Sequence, residues 1–392
     1  MKHLKTSLLF LVVISFLFFS EISAQQEGAK KKDENKNVHT FTMDFQVKTT
    51  PVKNQSKSGT CWCFATVSFL ETELLRMGKG EYDLSEMYLI RNNYPRKAEN
   101  YIRYQGMANY GEGGQAHDVL DLIRSYGIVP EEAYPGRNNG EEKHNHTEMK
   151  NVTKGMLDAW VTNKAGKLSP RWEEAYNSVL DVYFGKLPLE FSYKGTKYTP
   201  ISFSQSLGLK LDDYVEITSY THSPFYEKFR LEIPDNWTGE NYYNVPVEDM
   251  MAIIDNAIKN GYSVTWDGDV SEHEFSQKNG YAVIPVKDWD DKSASEKEEK
   301  LTKPEEEKTI TQGLRELTFN NYTTTDDHLM HITGIAHDQN NTRFYYTKNS
   351  WGEDQTNGGF IYLSAPYVKL KTVAIMVHKN AIPKEIAQKM KL

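Results

Sequence analysis

Two hydrophobic periodicities divide this chain, and together they restrict it to folds that keep helices and strands in separate regions. Across residues 61–76, Phe64, Val67, Phe69, Leu70, Leu74 and Leu75 recur at the spacing of a buried helix, which Gly78 and Gly80 close. Further helices are expected after Leu84-Ser85-Glu86, over 116–125 (closed by Gly127 and Pro130), across 145–190, and over 249–259 before Gly261. Beyond Gly261 the pattern changes to β-rich runs at 262–266, 281–286, 328–335, 344–347 and 360–363, bounded by Gly, Asn and Asp. Helices first and strands later predict an α+β, two-lobe fold rather than an alternating doubly wound sheet. The charge-dense run 288–308 has almost nothing to bury and reads as a solvated loop or exposed helix.

The amino terminus reads as an address. Lys2 and Lys5 precede an apolar run from Leu8 to Phe19, followed by the small residues Ser23 and Ala24. This predicts a signal peptide over 1–24, cut before Gln25, and an exported protein, periplasmic or extracellular. The apolar run is short of the ~20 residues that span a bilayer, so no membrane anchor is expected after cleavage. Residues 25–40 are Lys/Glu/Gln-rich without periodicity and read as a disordered lead-in to a domain over 41–392. Its expected parts are a helical lobe at about 55–205, with a helical insertion at about 145–205, and a β-rich lobe at about 206–392 plus 41–54.

Composition removes several functional classes. Lys plus Arg number 46 against 54 Asp plus Glu, a formal charge of −8, so no basic surplus exists to grip nucleic acid. The two cysteines, Cys61 and Cys63, can build neither a disulfide framework nor a thiolate zinc cluster. No HExxH, Gly-rich phosphate loop or GxSxG element is present, and neither metal nor cofactor is expected.

What remains is a thiol placed for chemistry. A free thiol is mostly protonated at neutral pH, and a helix amino terminus or adjacent imidazolium lowers its pKa. Cys61 stands where the first helix begins, after Gly59 and Thr60. Cys63 would point about 200° away around a helix, toward the core. A thiol nucleophile needs a histidine oriented by a third group, which an Asn side chain supplies without adding charge. It also needs donors for an oxyanion; the backbone amide of Cys61 and the side-chain amide of Gln55 can serve. His328, His331 and His337 compete as the base. In a strand His331 lies on the face opposite His328, and Asp327-His328 stands 21 residues before Asn349 in Lys348-Asn349-Ser350-Trp351-Gly352. His117, in a helix with no evident partner, reads as structural.

Thr50-Pro51-Val52-Lys53-Asn54-Gln55, five residues, Cys61-Trp62, then Asp327-His328 and the Asn349-Ser-Trp-Gly element resemble the papain-like cysteine peptidases in order and spacing. Ser58-Gly59-Thr60-Cys61-Trp62, Tyr243-Asn-Val-Pro-Val247, Trp266-Asp-Gly-Asp-Val270 and Tyr126-Gly-Ile-Val-Pro130 place the resemblance on the bleomycin hydrolase and aminopeptidase C branch. The resemblance covers about residues 41–385. It implies a two-lobe fold with a cleft between a helical and a β-barrel-like lobe, and hydrolysis of peptides without a cofactor. Cys61 would be the nucleophile, His328 the base and acid, Asn349 its orienting group and Gln55 an oxyanion donor. Trp351 would shield the Asn349–His328 bond, and Gly113 and Gly114 would offer a bare backbone edge to an extended substrate. Relatives of this kind often end in an arm that enters the cleft and restricts cleavage to the amino end of peptides. Here that arm reads as missing or short, so endopeptidase activity stands beside an aminopeptidase-like one, with an idle binding protein as the third reading. The hexamers of relatives are not inherited by an acidic, exported chain.

Overall fold

The computed structural model describes residues 39–138, 140–298 and 304–392; the expected signal and nearly all of the lead-in lie outside them. The first helix, α1 (Cys61–Arg76), is buried without interruption from Cys61 to Leu74. A helix buried on every side must run through a core, and α1 does so between the two lobes. Around it pack α2 (Glu86–Arg103) and α3 (Ala116–Tyr126), both with local starts written in sequence. Ser85 accepts from the Tyr88 amide at 3.0 Å, and Asp118 accepts from the Gln115 amide at 2.9 Å.

The expected helix across 145–190 is two helices, α4 (Thr147–Val161) and α5 (Trp172–Phe184), because Gly166 at φ +77° and Pro170 interrupt it. A hairpin of β2 (Phe191–Tyr193) and β3 (Thr196–Tyr198) follows, turned by Lys194 and Gly195, both at positive φ. Helix α6 (Pro200–Leu207) completes this region.

Most strands join one sheet, eleven-stranded among the described residues. Its members are β1 (Phe41–Gln46), β4 (Tyr214–Thr218), β5 (Lys228–Arg230), β6 (Asn241–Asn244), β7 (Val264–Gly268), β8 (Phe275–Ser276) and β9 (Tyr281–Ala282), with β10 (His328–Asp338), β11 (Arg343–Lys348), β12 (Phe360–Ser364) and β13 (Thr372–His378). The order is β5-β6-β4-β13-β7-β10-β11-β12-β9-β8, and β1 pairs with β10. Strand β13 lies at the centre of this order, yet it is absent from the sequence expectations. Its run Val373–Val377 is apolar without alternation, and both of its faces are buried, so the period-two signal never forms.

Two cores result. One joins α1–α6 to Tyr214, Leu329 and Met376 from the sheet. The other lies within the curved sheet and under α7 (Val247–Lys259), where Met250, Ile253, Ile254, Ala257 and Ile258 are buried. The charge-dense run is more anchored than its composition suggests. Lys292 is buried between Glu274 (3.7 Å) and Glu305 (3.1 Å), and Glu307 accepts from the Ile284 amide (2.7 Å) and Ser364 Oγ (2.5 Å).

Candidate active site

Where α1 meets the sheet, the sequence motifs converge. The Cys63 amide bonds back to the Thr60 carbonyl at 3.0 Å, so the amide of Cys61 precedes the helical ladder and keeps its hydrogen. Cys61 and Cys63 part as helix geometry requires: Cys63 Sγ turns to the Glu86 carbonyl of α2 at 3.5 Å, while Cys61 faces the backbone of Leu329, which lowers its thiol pKa against the larger effect of burial. Leu329 directly follows His328, so the nucleophile candidate of one lobe touches the histidine strand of the other.

The spacing of 21 residues between His328 and Asn349 is a property of the β10–β11 hairpin. His331 pairs with Lys348 in antiparallel register, which carries the start of β10 and the residues just past β11 to the same end of the sheet. His328 Nε2 meets Asn349 Oδ1 at 2.8 Å. The amide orientation is fixed on both sides, since Asn349 Nδ2 donates to Gln277 Oε1 (2.9 Å) and the Ser350 amide donates to Asn349 Oδ1 (2.7 Å). Asn349 Oδ1 is therefore an acceptor, His328 Nε2 carries the proton, and Nδ1 is the basic nitrogen. Trp351 lies over the imidazole with ring centroids 4.9 Å apart, and Phe275 meets Trp351 edge-on. Gln277 is a site residue that sequence reasoning missed; it sits 72 positions from Asn349, and no spacing pattern announces it.

Gln55 is held by groups from both lobes. Its amide bonds the Ser350 carbonyl (2.9 Å), Ser350 Oγ donates to its Oε1 (2.5 Å), and its Nε2 donates to the Ser58 carbonyl (2.7 Å). One of the two Nε2 hydrogens is thus spent, leaving one for an oxyanion. The Gly113–Gly114 edge differs from the bare strand expected. Lys97 Nζ donates to the Gly113 carbonyl, and a Cβ on Gly113 would lie 1.9 Å from Asp235 Oδ2. A Cβ on Gly114 would meet the Trp62 ring at 3.0 Å and Asp118 Oδ2 at 2.9 Å. Glycine is required at both positions by neighbouring side chains of this protein.

Two other histidines are engaged away from the site, His117 through both ring nitrogens and His331 through Nδ1. His117, expected to lack a partner, bridges α3 to the sheet through Glu216 Oε2 (2.7 Å) and Thr238 Oγ1 (2.9 Å), and the Glu216 and Asp118 carboxylates raise its pKa to about 9 despite burial. His331 faces α1, with Nδ1 2.9 Å from Ser68 Oγ. Electrostatics at the centre also differ from a standing thiolate. Burial pushes the Cys61 thiol up to about 12 and the His328 imidazole down to about 4, and Asp326, Asp267 and Asp235 add to the rise at Cys61. A lone charge on either group is disfavoured; only joint ionisation, each charge answering the other, escapes the desolvation penalty.

Two family models match this chain: the Peptidase C1-like family over residues 188–392 and the papain family cysteine protease over residues 40–223. Aminopeptidase G of Lactobacillus delbrueckii subsp. lactis is 24% identical over 413 residues, covering 93% of this chain and 89% of that protein. Aminopeptidase E of Lactobacillus helveticus is 25% identical, covering 93% and 91%. The crystal structure of PepW from Lactobacillus rhamnosis HN001 superposes with a TM-score of 0.68 at 19% identity, over 89% of this chain and 84% of that one. At that identity the likeness speaks to the fold, which is the α+β, two-lobe, papain-like one.

Proposed function

Since the chain belongs to the peptidase C1-like family, on its bleomycin hydrolase and aminopeptidase C branch, it is a cysteine peptidase, and we propose that it works through a thioester on Cys61. The observation that carries this reading is His328, already oriented by Asn349, on the strand that packs against the helix beginning at Cys61.

Substrate binding brings the peptide carbonyl to Sγ. The thiol proton passes to His328 Nδ1 as sulfur attacks the carbonyl carbon, and the oxyanion forms against Gln55 Nε2 and the Cys61 amide. The imidazolium returns its proton to the leaving amine, the C–N bond breaks, and a thioester remains. Water then gives a proton to His328 and attacks the thioester; the C–S bond breaks, the carboxylic acid leaves, and the thiol is restored. Asn349 keeps the ring in place throughout, and Trp351 keeps water from their bond.

The activity is aminopeptidase-like in our reading, with peptides as substrates. The second reading, cleavage within longer chains, draws support from α8 (Lys384–Met390), which docks on the β-rich lobe. Ile386 and Met390 enter its core, and Lys389 reaches Tyr226 Oη (3.2 Å) and Asp249 (3.7 Å). We also propose that the protein acts outside the cytoplasm after loss of residues 1–24, so that sequencing the exported form should begin at Gln25. The decisive test profiles a peptide library with the 25–392 chain and its Cys61→Ala variant. Hydrolysis abolished by the substitution supports the reading; equal hydrolysis by both ends it. Amino-blocked peptides separate the aminopeptidase from the endopeptidase.

A further inference from the structure

A group of carboxylates beside Cys61 has no role in the steps above. On β7, Val264 and Trp266 belong to the core inside the sheet, so Asp267 points to the other face, toward the helical lobe. It pairs across the ladder with Leu329, on the same side of the sheet as Cys61, and its charge adds to the rise of the Cys61 thiol. Asp267 is 2% exposed, and neither of its oxygens receives a hydrogen bond from an N–H or hydroxyl group among the described residues. Its neighbour is another carboxyl group, Asp326, which accepts from Gln115 Nε2 at 3.0 Å. The third acid, Asp235, lies against Gly113 and accepts from Asn109 Nδ2 at 3.1 Å.

Other charges nearby are accounted for. Glu216 pairs with His117, and Asp118 accepts from the Gln115 amide and from Trp237 Nε1 at 3.1 Å. Lys97 is the buried amine of this region, but it donates to the Gly111 carbonyl (3.0 Å) and the Gly113 carbonyl. Lys97 also answers Asp235 in part, whereas Asp267 and Asp326, near the nucleophile, meet each other's carboxyl group. Two buried carboxyl groups in contact must share a proton or receive a cation. The pKa shifts agree in direction: burial first, then the charge of Asp326, raises Asp267, burial and the charge of Asp235 raise Asp326, and burial raises Asp235 although Lys97 opposes it.

We propose that Asp267, Asp326 and Asp235 form a subsite for a positively charged nitrogen of the peptide, either the free α-ammonium of its amino end or the side chain of Lys or Arg. The inference rests on the peptidase reading, because it assigns the cation to the substrate of Cys61. It also gives Gly113 a reason: without a Cβ there, Asp235 can lie against the backbone edge.

The test uses the 25–392 chain and fluorogenic peptides in matched pairs. One pair replaces Lys by norleucine at the second residue before the scissile bond in amino-blocked peptides, and the other compares free with acetylated amino ends on a neutral peptide. A preference of tenfold or more in kcat/KM for the cationic member of either pair is expected, and the pair that shows it identifies the source. Asp267→Asn and, separately, Asp235→Asn should bring that ratio toward one, with folding checked by circular dichroism. Equal rates within both pairs, or a ratio unmoved in folded variants, would overturn the subsite and leave Asp267 and Asp326 as a pair sharing a proton. Calorimetric binding of the same peptides to Cys61→Ala separates the two levels. Cation-dependent binding lost in Cys61→Ala/Asp267→Asn, without hydrolysis by the parent chain, would keep the subsite and refute the peptidase reading; hydrolysis without cation preference would do the reverse.

Discussion

At the scale of single residues, the reactivity of Cys61 depends on a partner. The buried thiol is pushed up to about 12, so without His328 it stays protonated through the neutral range. His328→Ala should therefore move alkylation of Cys61 by iodoacetamide to strongly alkaline pH, where the parent chain reacts near neutrality; mass spectrometry of the labelled peptide reads the shift. Gln55→Ala removes a side-chain donor to the oxyanion, and kcat should fall about 10²- to 10³-fold with little change in KM. Gln277→Leu tests the orientation of Asn349. With the Gln277 acceptor gone, only the Ser350 amide still holds the Asn349 side chain against turning its NH₂ to His328. A drop in kcat of about tenfold or more with unaltered thermal stability would mark a positioning role, on the scale by which outer-shell partners act. Cys61, Gln55 and the Asp327-His328 pair are legible in sequence because each stands at a motif of fixed local spacing. Gln277 is not, because only the folded chain brings it beside Asn349.

At the scale of elements, starts and turns are written locally and their neighbours are not. Ser85 before α2 and Lys194-Gly195 in the hairpin act within a few residues. Gly127, at the end of α3, sits at φ +75°, and a Cβ there would lie 2.3 Å from the Pro200 backbone at the start of α6. Gly127→Ala meets both a disfavoured backbone conformation and a backbone clash, and should cost about 2 kcal/mol or more, read as a lower urea midpoint. The helix-to-strand change of periodicity announces two kinds of lobe. It does not announce β13, since a strand buried on both faces loses its alternation.

At the scale of the whole molecule, polar groups buried between α1–α3 and the sheet tie the lobes together. His117 is buried and the Glu216 side chain is largely so, so His117→Ala leaves that carboxylate with only the residue-117 amide and should destabilise the fold by about 3 kcal/mol. The sign with pH follows from the raised value: the pair stabilises fully below about pH 6.5 and fades as pH rises through about 9. Unfolding free energy measured from pH 6 to 10 should decline in the parent chain and stay flatter in His117→Gln. The sequence alone determined the α+β division, the candidate thiol and the family resemblance, because helix periodicity and motif spacing are carried by neighbouring residues. Tertiary structure alone decided that His117 bridges the lobes, that Lys97 and Asp235 occupy the Gly113 edge, and that Asp267 stands unanswered beside Cys61. Burial sets the charge of each of these groups, and burial is a property of the surfaces that meet there, which linear order does not record.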